Sequence, residues 1–428
     1  MEAIVASRER TLRARLGHLW RSPALWSAVS FAVGGVGFAA GNLLLARVLP
    51  EDEYGRVALF LALVQIGIVT GPLGMETVVN RHRLSAHASL LGRVSLTSAC
   101  VGAVLALVAW RFYGLGATLA GVLALTVIVA AVNRVGGAFF QSRSRFGFSL
   151  FLILIHNWIV LVAVPVVLFA DRLTALPVAL TVAAGYIAMA TLGWFKGFVA
   201  RVATGGAEPH AAARTLWYEG LAAVGLQLAV GALFQLDRLL IPRALSIRDL
   251  AVYSVVSSIA ASPFRMLQTG LGFALLPRLR ACESRTAILR LVRHEVAVVT
   301  VLSVLAAVAV LVLTPWLLGA VLDTRYSFSM TLLYALVLVG FVRVWSGVSG
   351  AVVSALGSAQ QLARLNLYGW LALIIAAAGA FAARGFGLPG VVYGMGAGWL
   401  ALAVAGTLIG WRALAAREPS GAPRRSMK

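Results

Sequence analysis

Residues 216–241 read LWYEGLAAVGLQLAVGALFQLDRLLI, and the fold turns on what this stretch is. As a helix it is long enough to cross a hydrocarbon core about 30 Å thick. Near its end, however, an acid and a base stand side by side, Asp237 and Arg238. A charge at that depth costs roughly 2.5–3.5 kcal/mol on insertion scales, so each needs a partner or a ligand. Adjacent helical positions point about 100° apart, so the two do not simply neutralise each other.

Similar apolar stretches fill the rest of the chain. Of 428 residues 61% are hydrophobic and only 12% charged, against about 25% charged in a soluble domain. Twelve spans are expected, at 23–49, 55–79, 89–110, 117–140, 148–170, 175–195, 216–241, 250–276, 295–318, 327–348, 365–383 and 388–411. The fold class is therefore an all-α polytopic membrane protein. It is expected as two six-helix lobes related by a pseudo-two-fold axis, with a cavity between them.

The boundaries are a basic tail at 1–22, an N-lobe at 23–200, a linker at 201–214, a C-lobe at 215–412 and a basic tail at 413–428. The linker carries Gly205, Gly206 and Pro209, a composition that suits a flexible connector. Sliding one half over the other by 196 positions sets Leu49-Pro50-Glu51-Asp52-Glu53 against Leu245-Ser246-Ile247-Arg248-Asp249. Six spans per repeat preserve orientation, so the repeats are expected to be parallel, with substrate between them.

Basic residues give the orientation, because short cytoplasmic loops retain Arg and Lys. With the amino end inside, two thirds of the 36 basic residues fall on the cytoplasmic side. Both termini are then cytoplasmic. The net charge of +21 reflects this topology and attraction to anionic headgroups, not nucleic-acid binding, since no soluble domain presents a basic surface with interleaved aromatics. Cys100 lies in a span and Cys282 in a cytoplasmic loop, so no disulfide is expected.

Four arginines sit inside spans: Arg134, Arg238, Arg265 and Arg343. A guanidinium cannot shed its proton and donates two parallel hydrogen bonds to phosphate oxygens, so these are the candidates for binding an anionic headgroup. Arg265 leads, directly after Ser262-Pro263-Phe264, where proline can bend the helix toward a cavity. The guanidinium groups are expected to converge from both lobes on a hydrated vestibule. Asp237 and Glu76 are the comparably placed acids, read as coupling sites or as structural ion pairs.

Asn42, Gln65, Asn157, Gln235 and Gln268, with Asn133, Gln227 and Asn366, are expected to line the cavity or bridge helices. His156 reads as a structural histidine. Gly35-Val-Gly37-Phe-Ala-Ala40 mimics a dinucleotide loop but lies inside a span, where helix packing explains it better. Gly67/Gly71 and Gly390/Gly394/Gly398 repeat every fourth residue, and the latter ridge is expected to seat span twelve on span eleven. No metal-ligand cluster, Walker loop or paired-carboxylate site is present, and neither metal, cofactor nor catalysis is expected.

Several motifs resemble those of a known family. NLLLARVLPEDEYG (Asn42 to Gly55) resembles the first-hairpin signature of polysaccharide-export flippases, and FFQSRSRF (Phe139 to Phe146) is similar to the family's approach to span five. DRLLIPRAL from Asp237, Ala251-Val252-Tyr253 and Leu275-Leu276-Pro277-Arg278 resemble its second-half pattern, with Val252 where that branch often has Gly. ALGSAQQ from Ala355 through Asn366, then GLPGVVY from Gly387, are similar to its closing segment. In order and spacing the chain resembles the multidrug/oligosaccharidyl-lipid/polysaccharide (MOP) exporter superfamily, and within it the Wzx-like O-antigen flippase branch.

That resemblance implies a flippase of the bacterial inner membrane. Its cargo would be an undecaprenyl-pyrophosphate-linked oligosaccharide, moved to the periplasmic leaflet by alternating access for polysaccharide biosynthesis. Its partners would be membrane lipids and the polysaccharide polymerase and chain-length machinery. Two alternatives remain. A cation-coupled drug extruder of the MATE type would favour acids over arginines in its cavity, and a membrane-embedded glycan polymerase or ligase needs a sizeable outer loop that this chain lacks.

Overall fold

The computed structural model describes residues 23–143, 145–170, 172–203, 213–282, 284–322 and 326–415. The basic tail at 1–22, most of the linker at 201–214, the tail from 416 onward and the side chain of Gln227 lie outside the described residues. Every regular element among the described residues is helical. In chain order these are α1 (Pro23–Val48), α2 (Glu51–Thr70), α3 (Met75–His82), α4 (Ala88–Tyr113), α5 (Ala117–Ser142), α6 (Phe146–Phe169), α7 (Ala175–Ala203), α8 (Ala213–Ala244), α9 (Ile247–Ala260), α10 (Ser262–Ala281), α11 (Arg285–Leu322), α12 (Met330–Leu356), α13 (Ala359–Ala382) and α14 (Gly387–Ala415).

These helices are consistent with the expected spans. Nine of them are long and apolar enough to cross a membrane, and α9 with α10 meets the same criterion only as a pair, bent by 56° at the break between them. The helices α1 and α8, 26 and 32 residues long, occupy the two remaining positions. Lipid-facing rows are left bare: on α11 Val301, Leu305, Val308 and Val312 are all exposed, a stripe suited to hydrocarbon and not to water.

Two expected spans are not continuous. Span two breaks after Thr70 where Pro72 lacks an N–H and Leu73 and Gly74 take positive φ of 46° and 76°, so α3 sets off as a separate short helix. Span eight bends at Ala261, immediately before Ser262-Pro263, with the proline in the first turn of α10 where its missing donor costs nothing. The side chain of Ser246 caps α9 by accepting from the Asp249 N–H, and a Ser358–Gln361 capping box opens α13.

The two halves repeat one packing scheme. α1 packs on α6 as α8 packs on α13; α4 pairs with α5 as α11 with α12; α5 with α7 as α12 with α14; and α6 with α7 as α13 with α14. Val48 and Ala244 end equivalent helices, and Glu51 and Ile247 begin equivalent ones, at the same 196-residue offset that separates Asp52 from Arg248. Between the halves α2 meets α8 and α9, and α1 meets α9 and α10. The end of the bundle where α1 turns into α2 and α8 into α9 is termed the hairpin end below.

The glycine seams seat helices as their spacing predicts. A methyl on Gly394 would come within 2.2 Å of the Gly379 carbonyl, and one on Gly398 within 2.3 Å of the Ala372 carbonyl, so α13 and α14 touch backbone to backbone. Gly67 of α2 and Gly71 just past its end instead make room for side chains of α5, Val127 and Ala131.

Candidate functional site

Asp237 lies seven residues before the end of α8, roughly 10 Å along its axis from the hairpin end. It is 1% exposed. Its Oδ1 accepts the backbone N–H of Arg238 at 2.9 Å. Its Oδ2 accepts a short bond from the Tyr253 hydroxyl of α9 and a second, at 3.3 Å, from Nη2 of Arg343 on α12. The Arg343 guanidinium also lies over the Trp399 ring of α14, 5.0 Å from its centroid, and Trp399 meets Phe234 of α8 edge-on. Such satisfaction of both oxygens offsets much of the cost of burying the carboxylate.

Three guanidinium groups act on that one carboxylate: Arg343, Arg265 of α10 and Arg238. Arg238 is 3% exposed, and its charge also acts on Tyr54 of α2, across the boundary between the halves. Arg265 sits one turn past the bend in span eight, and its charge acts on Arg238, Arg343, Asp237 and Tyr253 together. Among the described residues three guanidinium charges act on this one carboxylate, a local excess of positive charge at membrane depth. In a medium of low dielectric such an excess attracts a dianion strongly. A cavity of about 10 Å³, room for one water, lies between Tyr253, Phe264, Arg343 and Met395.

The expected convergence from both lobes does not occur: the three clustered arginines all belong to the second half. Arg134 belongs to a second cluster, because α5 packs on α3 and brings its guanidinium 3.6 Å from Glu76. Its charge also acts on His156 and Tyr186, whose rings stack at 6.0 Å. Glu76 is 8% exposed, and neither carboxylate oxygen has a hydrogen-bond partner among the described residues.

The polar uncharged residues divide similarly. Asn42 is buried, accepting from the Tyr54 hydroxyl and donating to the Phe38 carbonyl. Asn133 donates to the Leu152 carbonyl, tying α5 to α6, and His156 Nδ1 meets the Ile153 carbonyl at 2.7 Å. Asn157 lies against Gly34 of α1 and Asn366 against Gly225 of α8. Gln65 is half-buried on α2. Gln235, Gln268 and Asn366 each keep a buried side-chain oxygen without a hydrogen-bond partner among the described residues, acceptors open to water or to a ligand's hydroxyl.

Sequence reasoning missed Tyr253 as the donor to Asp237 and Trp399 as the platform for Arg343. Tyr253 lies sixteen residues after Asp237, on the next helix of the hairpin, and the signal in the sequence was that both belong to the same second-half pattern. Among the described residues no group of three or more His, Cys, Asp or Glu side chains could hold a metal ion.

The family model described as "Polysaccharide biosynthesis protein" matches residues 44–331, about two thirds of the chain. The chain belongs to the polysaccharide biosynthesis protein family. No curated protein matches it. Among solved structures it resembles the lipid II flippase MurJ in an inward closed conformation, at 10% identity and a TM-score of 0.61, covering 91% of this chain and 86% of that one. It also resembles an outward-facing multidrug resistance MATE family transporter of the MOP superfamily, at 14% identity and a TM-score of 0.59, covering 93% and 98%. A MATE structure in the straight conformation aligns at 15% identity with a TM-score of 0.57, covering 92% and 97%.

The chain is thus a multi-pass membrane protein of the polysaccharide biosynthesis family, with a fold like those of MurJ and the MATE transporters. The matched segment of this polysaccharide biosynthesis family member contains Glu76, Arg134, Asp237, Arg238 and Arg265, and stops short of Arg343 and Trp399. The latter two therefore enter the site on structural grounds.

Proposed function

We propose that this transporter is a flippase for an anionic lipid-linked oligosaccharide, carried on undecaprenyl pyrophosphate and moved from the cytoplasmic to the periplasmic leaflet by alternating access. One observation carries the reading: three guanidinium groups gathered round a single carboxylate between transmembrane helices. A pyrophosphate cannot cross bare hydrocarbon, and paired guanidinium forks replace its hydration. Buried acceptors on Gln235, Gln268 and Asn366 suit hydrogen bonds to sugar hydroxyls. Asp237, with both oxygens already engaged, fits the role of a structural counter-ion better than that of a carrier of coupling protons. The protein itself performs no covalent chemistry in this scheme. Its partners are membrane lipids and the polymerase and chain-length machinery that take up the product.

The test is reconstitution into vesicles carrying a fluorescent polyprenyl-diphosphate oligosaccharide. Transbilayer movement should rise at least tenfold over protein-free vesicles, and a neutral glycolipid of equal size should not move faster. Export of a cationic dye without movement of the anionic lipid would replace this reading with the drug-extruder one.

The proposed topology, with both lobes in the inner membrane and both termini cytoplasmic, makes a prediction at a native thiol. Cys282 is half-buried in the turn between α10 and α11 and is not disulfide-bonded. A membrane-impermeant maleimide should label it in inverted vesicles and leave it unlabelled in intact spheroplasts. The opposite pattern would invert the orientation.

A further inference from the structure

The hairpin end holds a set of bonds that cross between the halves. Arg248 forks onto Asp52, Nε to Oδ1 at 3.0 Å and Nη2 to Oδ2 at 3.2 Å. Nearby, the Tyr113 hydroxyl donates to the Leu239 carbonyl, Arg243 donates to the Phe112 carbonyl, and the Tyr326 hydroxyl donates to the Ala46 carbonyl. Beneath the fork the chains are in backbone contact: a methyl on Gly55 would lie 2.4 Å from the Ile247 carbonyl oxygen.

Asp52 and Arg248 are each the second residue of a re-entering helix, at equivalent positions of the two repeats. An axis along the membrane normal brings such equivalent positions face to face, where like residues would meet like. Here one repeat carries an acid and the other a base. An arginine in the first turn of a helix also opposes the helix dipole, so local helix energetics do not account for Arg248, and its partner across the boundary does.

We propose that the Asp52–Arg248 fork is the latch of an outer gate, holding the hairpin end shut while the substrate site is open elsewhere. This rests on the transporter reading above and adds the element that closes one side. Both side chains are solvent-exposed, and an exposed ion pair is weak, which suits a contact that must break on every cycle. The side-chain-to-carbonyl bonds and the Gly55 contact share the closure, so the latch biases the gate without freezing it.

The test reads gate opening directly. In a Cys100→Ser/Cys282→Ser background, spin labels at Arg111→Cys and Arg384→Cys, exposed sites at the outer ends of opposite halves, report the separation by double electron–electron resonance. The protein with the native latch should give one short distance. Asp52→Arg or Arg248→Asp alone should raise the long-distance population about two- to fivefold, the range for an exposed pair. The charge-swapped Asp52→Arg/Arg248→Asp protein should return to the native distribution. Gly55→Val, which wedges the backbone contact, should open the gate further.

A second arm joins Asp52→Cys and Arg248→Cys with a short bis-methanethiosulfonate linker. Transport of the fluorescent glycolipid should fall at least tenfold and recover on reduction. Distances unchanged in both single variants, a double variant no closer to native than either single one, or full transport by the linked protein would each overturn the latch. The spin-label arm is independent of cargo, so a wrong cargo and a wrong gate give different results.

Discussion

An Arg265→Ala protein is expected to accumulate in the membrane at near wild-type abundance and to deliver roughly ten- to a hundredfold less glycan lipid to the outer leaflet. The abundance half of this expectation follows from Asp237. Its oxygens are held by the Arg238 N–H, by Tyr253 and by Arg343, so removing Arg265 leaves that buried carboxylate satisfied. The transport half follows from charge. Arg265 supplies one of the three positive charges gathered there, and a charge-assisted hydrogen bond to an ionised group contributes about 1.5–3 kcal/mol. Arg265→Lys should recover part of the activity, because it keeps the charge and loses the planar fork. Complementation of a flippase-deficient strain with quantitative immunoblotting measures both halves at once. Full delivery by Arg265→Ala would remove the anion-binding role from this cluster.

What the sequence disclosed and what it withheld divide along a physical line. Spans were legible because burying about twenty apolar residues in succession leaves no soluble alternative, but their ends were less so: the helices begin at Glu51 and Ile247, ahead of the expected 55 and 250, because Pro50 and the Ser246 cap let polar first turns join the helix. The intramembrane charges were equally legible, since each is conspicuous against its own segment. Their partners were not. Whether Arg134 meets Glu76 or Asp237 depends on α5 packing against α3, a tertiary fact that no local pattern encodes. For the same reason Arg134 was grouped with the other three arginines and proved separate. The break at Gly71–Gly74 was also missed as a break, because an apolar run conceals a change of helix direction when the residues on either side stay apolar. The bend at Ala261 was foreseen only because Pro263 announces it.

Asp237→Ala should behave in the opposite way to Arg265→Ala, losing protein before it loses transport. The substitution strips Arg343 and the Tyr253 hydroxyl of their shared acceptor and leaves three guanidinium groups facing one another in the bundle. Breaking a buried ion pair on one side costs about 3–5 kcal/mol, a large part of the roughly 5–15 kcal/mol that holds an ordinary domain together. Membrane abundance should drop several-fold, with a lower midpoint in thermal unfolding of the detergent-solubilised protein. Asp237→Ala/Arg343→Met removes both charges and keeps an apolar side chain against Trp399, so abundance should recover while transport does not. Asp237→Asn separates the two readings of the acid that sequence alone left open. If Asp237 is a counter-ion, the amide keeps the Tyr253 bond and the variant lies between wild type and Ala in both stability and transport. If Asp237 carries the coupling charge, abundance is unchanged and transport stops responding to an imposed ion gradient. Normal abundance of Asp237→Ala would mean that Arg343 rests mainly on the Trp399 face, and that the carboxylate contributes little to holding the helices together.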